Sequence, residues 1–168
     1  SEGAIRPSIA VSWLLALLFM PSAYVDGESL SWADTGFLMM RSFAGSFEPG
    51  VAGFMAGFFH AYVLFGLISP VFFALRISWR SGFRKPHDMA IFAGLTTLAA
   101  PVIWGMATFF YASEASLTGS VIEPALAHWL VPGILFVVSF RLVVVAAKAE
   151  AEQAEKSEQS GMIGKPSH

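Results

Sequence analysis

The chain has 168 residues, of which 55% are hydrophobic and only 13% are charged, and its mean hydropathy is +0.63. This composition excludes an ordinary soluble domain, and the length leaves room for one membrane domain without a separate soluble one. The net charge of −2 is uninformative, but the basic residues lie where membrane topology requires them and form no nucleic-acid-binding surface. The absence of cysteine excludes disulfides and thiolate metal sites.

Four apolar stretches predict an all-α membrane protein with four transmembrane helices, since about 20 apolar residues span a hydrocarbon core of about 30 Å. We expect a transmembrane domain over residues 1–147, with spans at about 9–25, 51–77, 89–112 and 125–147, and a charged tail over residues 148–168. We interpret the first stretch as a span rather than as a signal peptide, because Pro21 fits a cleavage site poorly. Ser1 is expected to follow a removed initiator methionine.

The distribution of Lys and Arg predicts the orientation of these spans. If the N-terminus is cytoplasmic, only Arg41 lies on the outer side of the membrane. The basic residues on the cytoplasmic side are then Arg6, Arg76, Arg80, Arg84, Lys85, Arg141, Lys148, Lys156 and Lys165. This positive-inside distribution predicts a multi-pass protein of a bacterial inner membrane with both termini in the cytoplasm.

The segment after the first span predicts a short amphipathic helix on the outer membrane interface. Ser31 and Asp34 have the spacing of a capping box, in which each side chain bonds the other residue's backbone N–H. The apolar residues that follow share one side of a helical wheel: Phe37, Met39, Met40, Phe43, Ala44 and Phe47. Such a helix lies on a membrane surface or packs as a lid over the bundle, and the pattern fits both arrangements.

The second span carries small residues at a spacing of four, namely Gly53, Gly57 and Ala61. Small residues at this spacing allow a neighbouring helix to approach closely. We therefore predict a helix-packing face here, with Gly57→Leu more disruptive than Gly66→Leu, because Gly66 lies off this row.

Turn and cap signals predict the ends of the last two spans. Residues 113–123 form a polar turn, and Glu123 with Pro124 is expected to start the fourth helix as its N-cap and first residue. Beyond Lys148 the mixture of Ala, Glu, Lys and Gln predicts a solvated helical extension that ends at Gly161.

His60 and His128 are the candidate binding residues within the spans. A histidine pair on neighbouring helices suggests axial ligation of a b-type haem, or contact with a quinone. We expect a difference in depth of about 7–10 Å between them, which opposes ligation of one iron. The structural alternative is that His60 bonds a neighbouring helix and that His128 lies at the interface beside Trp129. A further hypothesis groups His128, Glu114 and Glu123 as a cation or quinone-headgroup site at the outer rim.

The predicted spans contain no Asp or Glu, which argues against an autonomous ion pump, and the chain has no recognisable catalytic motif. We therefore expect a non-catalytic structural or assembly subunit of a larger bacterial inner-membrane complex, without a cofactor of its own. Its partners would be the lipid bilayer and other integral membrane subunits, and not nucleic acid. The alternatives are an electron-transfer subunit that handles haem or quinone, and a small accessory subunit of a transporter.

Overall fold

The computed structural model describes the backbone of residues 2–44, 50–78 and 85–163 and the side chains of residues 7–41, 50–74 and 85–160. Most of this part is helical, as predicted. The elements in chain order are α1 (Glu2–Phe19), β1 (Pro21–Val25), β2 (Glu28–Ser31), α2 (Trp32–Ala44), α3 (Val51–Ser78), α4 (Pro86–Thr118), β3 (Ile122–Pro124) and α5 (Leu126–Ile163).

Three of the described helices are long and apolar enough to cross a membrane, over residues Val51–Ala74, Pro86–Thr118 and Leu126–Ser160. The apolar part of α1, Pro7–Phe19, is shorter. The prediction of a mostly helical chain with helices that could span a membrane is confirmed for these three helices. Residues 79–84 between the second and third predicted spans, Phe47 of the predicted amphipathic face and residues 164–168 of the tail lie outside the described residues.

Several predicted helix ends are wrong. The first apolar stretch was expected to be helical to residue 25, but α1 ends at Phe19 and residues 21–25 form β1. Pro21 has no N–H to continue the helix, whereas it fits the start of a strand. At the other side of the predicted polar turn, α4 continues to Thr118 and ends at Gly119, whose φ of 70° is the left-handed helix cap that glycine favours.

Glu123 and Pro124 do not start the fourth helix. Both belong to β3, and α5 begins at Leu126. Glu123 pairs with Tyr24 and Pro124 with Ala23 on β1, so sheet pairing decides the conformation of this segment. At its far end α5 continues through Gly161 to Ile163, beyond the predicted stop.

A three-stranded antiparallel sheet, in the order β2-β1-β3, covers one end of the helix bundle. A two-residue turn joins β1 to β2, and its residues Asp26 and Gly27 have φ values of 50° and 88°. Positive φ at both positions is typical of a type I′ hairpin, for which Asp-Gly is a favoured pair. Asp26 also makes two hydrogen bonds with Val121. The N–H of Asp26 donates to the carbonyl of Val121, and the N–H of Val121 donates to Asp26 Oδ1, both at 2.9 Å. The turn is therefore tied to the connection between α4 and α5.

The capping box at the start of α2 is confirmed. The N–H of Asp34 donates to Ser31 Oγ at 3.1 Å, and the N–H of Ser31 donates to Asp34 Oδ2 at 3.2 Å. From this start α2 packs on the bundle through Trp32, Thr35 and Met39, which are buried at helical spacing. Other apolar residues of the predicted face, Phe37 and Met40, are exposed, so α2 is a lid that also presents an apolar surface.

Gly66 marks a close approach of α3 to α4, so its choice as the less sensitive position is wrong, whereas the effect of Gly57→Leu stays a prediction. A Cβ atom at Gly66 would lie 2.8 Å from both Ala99 Cβ and Ile103 Cδ1. Ile103 Cδ1 can move by rotation of its side chain, whereas Ala99 Cβ is fixed to the backbone of α4. Any side chain at Gly66 would therefore push the two helices apart.

Helices α4 and α5 form the most extensive antiparallel pair of the bundle. Buried residues recur every seven positions on both helices, as in a left-handed supercoil. They are Ala93, Ala100 and Ala107 on α4 and Pro132, Ser139 and Ala146 on α5. Most of these side chains are small, so the two backbones can lie close together where lipid provides no hydrophobic driving force.

Candidate functional site

The largest concentration of buried polar and aromatic side chains lies beneath the sheet, where α1 and α4 end and α5 begins. We call this region the sheet-capped end. His128 is at its centre, in the first turn of α5, with only 1% of its surface exposed. The N–H of Ala125 donates to the carbonyl of Ser22 at 2.9 Å, so a bond to β1 holds the start of α5 in place.

Four aromatic rings surround the imidazole of His128. Trp32 of α2 lies parallel to it, with ring centroids 5.9 Å apart and an interplanar angle of 11°. Tyr111 and Trp104 of α4 lie at 5.4 and 6.2 Å, and Trp129 of α5 meets it edge-on at 5.6 Å. The indole N–H of Trp32 donates to the carbonyl of Ala127 at 2.8 Å, which joins α2 to the first turn of α5. Side chains from three helices therefore fix the position of His128.

Hydrogen bonding defines the tautomer of His128. Thr108 Oγ1 donates its proton to the carbonyl of Trp104 at 2.8 Å. The contact of 3.1 Å between Thr108 Oγ1 and His128 Nε2 therefore needs a proton on Nε2, which makes Nε2 the donor and leaves Nδ1 as an acceptor in the neutral ring. A second proton, on Nδ1, would be a buried donor without an acceptor, because Nδ1 has no hydrogen-bond partner among the described residues.

Three hydroxyl groups form a buried ring next to His128. Ser22 Oγ is 2.8 Å from both Thr35 Oγ1 and Tyr111 Oη, and the last two oxygens are 3.0 Å apart. Ser22 also donates to the carbonyl of Leu30 at 3.0 Å. Thr35 and Tyr111 must then direct their protons within the ring, since a hydroxyl has one proton and can accept twice. The ring connects β1, α2 and α4, and its chemistry is that of a neutral structural network.

The other histidine predicted to bind haem or quinone lies on a different helix. His60 is on α3, partly buried, and its Nδ1 is 2.9 Å from the carbonyl of Ala56 one turn earlier in the same helix. The described contacts of His128 are instead with α2, α4 and other residues of α5, so the structure does not place the two histidines in one site. Haem or quinone binding by either residue stays a prediction.

The row of small residues on α3 varies in exposure along its length. Gly53 is buried, Gly57 is partly buried and Ala61 is exposed. Its role in helix packing stays a prediction. Among the described residues no group of three or more His, Asp and Glu side chains could hold a metal ion.

Comparison with protein-family models, curated proteins and solved structures gives no match for this chain. The assignment of the site is therefore based on its geometry alone. Sequence reasoning identified His128 and its neighbour Trp129, but it did not indicate Trp32, Trp104 and Tyr111, which lie on other helices. The pair Asp26-Gly27, a strong hairpin signal, could have indicated a sheet above this end of the bundle.

Proposed function

We propose that this chain is a non-catalytic structural or assembly subunit of a larger complex in a bacterial inner membrane. The observation that carries the proposal is the extension of α5 beyond the bundle. His87, in the first turn of α4, is 3.6 Å from Glu150, so α4 begins at this level of α5. Residues 151–163 continue as a helix for about 20 Å at 1.5 Å per residue.

The chemistry of this extension suits contact with another protein. Every residue from 151 to 160 is exposed, so no other described part of the chain packs against this stretch of the helix. Glu152 and Lys156, four residues apart, stabilise an exposed helix modestly by charge attraction. An isolated helix of this length is marginal in water, and a partner surface would stabilise it. The extension therefore offers a charged docking segment outside the lipid.

The proposed arrangement in the membrane has four spans with both termini cytoplasmic. The apolar part of α1, Pro7–Phe19, extends about 20 Å, and we infer that the preceding turn with Arg6 reaches the cytoplasmic interface. Four antiparallel passages put nine of the ten Lys and Arg residues on the side of the α5 extension. The sheet-capped end then faces the periplasm.

Reporter fusions test this topology. The reporter is an enzyme that is active only in the periplasm. Fusions of it at Gly27 and Gly119, which lie in exposed turns of the sheet-capped end, are expected to be active, because that end is proposed to face the periplasm. A fusion at Gly161 is expected to behave as cytoplasmic, because the basic residues flank α5 on that side. Periplasmic activity at Gly161 would refute the four-span arrangement.

Copurification from a mild detergent tests the role of the α5 extension. Full-length protein is expected to retain partner subunits, whereas a chain that stops after Glu150 loses them because the docking helix is gone. A second variant, with residues 151–168 replaced by an equally long Gly/Ser sequence, should also lose them, which separates helix recognition from tail length.

The shortened chain and the chain with the Gly/Ser tail should both unfold at the same temperature as the full-length protein, since the contacts within the bundle end near Glu150. Identical partners in all three preparations would contradict the docking role of the extension. Full-length protein that purifies without any other subunit would contradict the proposed function itself.

A further inference from the structure

A cavity of about 230 Å³ opens at the sheet-capped end, between the sheet, α2 and the last turns of α4. A cavity of about 150 Å³ lined by apolar side chains is large enough to hold benzene. The space here therefore suits one six-membered ring with a short substituent. It is too small for a complete lipid or a fused-ring cofactor.

The cavity walls are mainly apolar and come from five elements of the fold, β1, β2, β3, α2 and α4. Leu38 and Ile122 are partly buried and pack against the hydrophobic core, so the walls have a fixed shape. Tyr111 also lines the cavity, but its hydroxyl is occupied by Ser22 and Thr35. The apolar wall residues are Val25, Leu30, Leu38, Phe110 and Ile122.

Glu114 is the acidic residue among those that line this mainly apolar cavity. Its side chain is partly buried, and none of the described Lys, Arg or His side chains is within ion-pair distance of it. A negative charge beside apolar walls attracts a cation more strongly than the same charge in open water, because the surrounding medium is less polarisable. The charge of the site thus selects for a positively charged ligand.

The donor set distinguishes an organic cation from a metal ion. Calcium binds six to eight oxygen ligands, and magnesium needs an octahedral set. Glu114 with the hydroxyl residues Thr118 and Ser120 offers too few oxygens for such a shell. An ammonium group, by contrast, bonds a single carboxylate while the hydrocarbon part of the ligand contacts the walls. We propose that this cavity binds a small primary ammonium compound with one apolar ring, the ring between α2 and the sheet and the ammonium at Glu114.

Isothermal titration of the full-length protein in detergent tests this site with three probes. Benzylammonium combines the ring and the charge, benzyl alcohol keeps the ring alone, and ethanolamine keeps the ammonium alone and represents a lipid headgroup. We expect benzylammonium to bind at least tenfold more tightly than either of the others, since a charge-assisted hydrogen bond in an apolar setting contributes about that factor.

Glu114→Gln retains the shape of the side chain and removes its charge. This variant is expected to weaken benzylammonium binding about tenfold and to leave benzyl alcohol binding within about twofold. Glu123→Gln is the matched control, because Glu123 is an exposed carboxylate of the same end that does not line the cavity. It should leave both probes unchanged, and the difference between the two variants also cancels partition of the probes into micelles.

A cavity-filling variant, Leu38→Trp, should abolish binding of benzylammonium while Glu114→Gln only weakens it. Three results would overturn the proposal: equal affinity for benzylammonium and benzyl alcohol, equal affinity for benzylammonium and ethanolamine, or equal effects of Glu114→Gln and Glu123→Gln. The first shows an apolar cavity without charge recognition, the second shows recognition of a headgroup without the ring, and the third shows a general effect of surface charge.

Discussion

Gly66→Ala is expected to lower the free energy of unfolding in detergent by about 1–3 kcal/mol, the usual cost of inserting a methyl group into a filled interface. The new Cβ atom would lie 2.8 Å from Ala99 Cβ, which belongs to the backbone-anchored part of α4. Relief requires a shift of one helix against the other, and the packing of Phe92 against Phe65 and Phe73, at 4.9 and 4.7 Å, resists that shift. Thermal or denaturant unfolding monitored by circular dichroism measures the effect.

Gly94→Ala on α4 is the control for this prediction. A Cβ atom there meets nothing within 4 Å, so the substitution adds no overlap. Alanine has a higher helix propensity than glycine by about 1 kcal/mol, and we expect unchanged or slightly raised stability. If Gly66→Ala and Gly94→Ala behaved alike, the close approach of α3 and α4 at Gly66 would be refuted.

Trp32→Ala is expected to cost about 3–5 kcal/mol, the range for removing a large buried aromatic side chain. Trp32 is only 2% exposed, and its ring fills the space between α2 and the imidazole of His128. The substitution also removes the hydrogen bond from the indole N–H to the carbonyl of Ala127. Because that bond joins α2 to α5, the lid and the start of α5 should loosen together.

Trp32→Phe separates the two contributions of this side chain. Phenylalanine keeps an aromatic ring but cannot donate a hydrogen bond. Trp32→Phe should therefore recover most of the lost stability, except the part due to the hydrogen bond and to the smaller ring. Trp129→Ala provides a matched control, since Trp129 is also next to His128 but is 59% exposed. We expect its effect on the unfolding midpoint to be much smaller. Comparable losses for Trp32→Ala and Trp129→Ala would show that burial of Trp32 does not stabilise the sheet-capped end.

Local sequence rules succeeded where the contacts are local. The bonds of the Ser31–Asp34 box connect residues three positions apart, so the start of α2 was readable from residue type and spacing. The rules failed at Glu123-Pro124, which fits the start of a helix equally well by type. There the partner is β1, about a hundred residues earlier in the chain, and the sheet pairing outweighs the local preference.

The same distinction holds for the candidate site and the packing faces. His128 was identifiable as a titratable residue in an apolar stretch, but its ring of aromatic neighbours comes from Trp32, Trp104 and Tyr111 on other helices. Gly66 lies off the row of Gly53, Gly57 and Ala61 and no pattern marks it, since a single close approach depends on how α3 is rotated against α4. The cavity at Glu114 likewise exists only after the hairpin has folded over α4.

The sequence by itself determined that this is a helical membrane protein, because apolar length and the avoidance of charge follow directly from the cost of burying polar groups in lipid. Only the tertiary structure decided how the helices are arranged and what covers them. Lipid satisfies any apolar helix face equally well, so hydrophobicity does not specify which faces meet. Which faces meet is determined by the close packing of small side chains, by the buried hydroxyl ring and by the three-stranded sheet. Each of these depends on residues far apart in the chain.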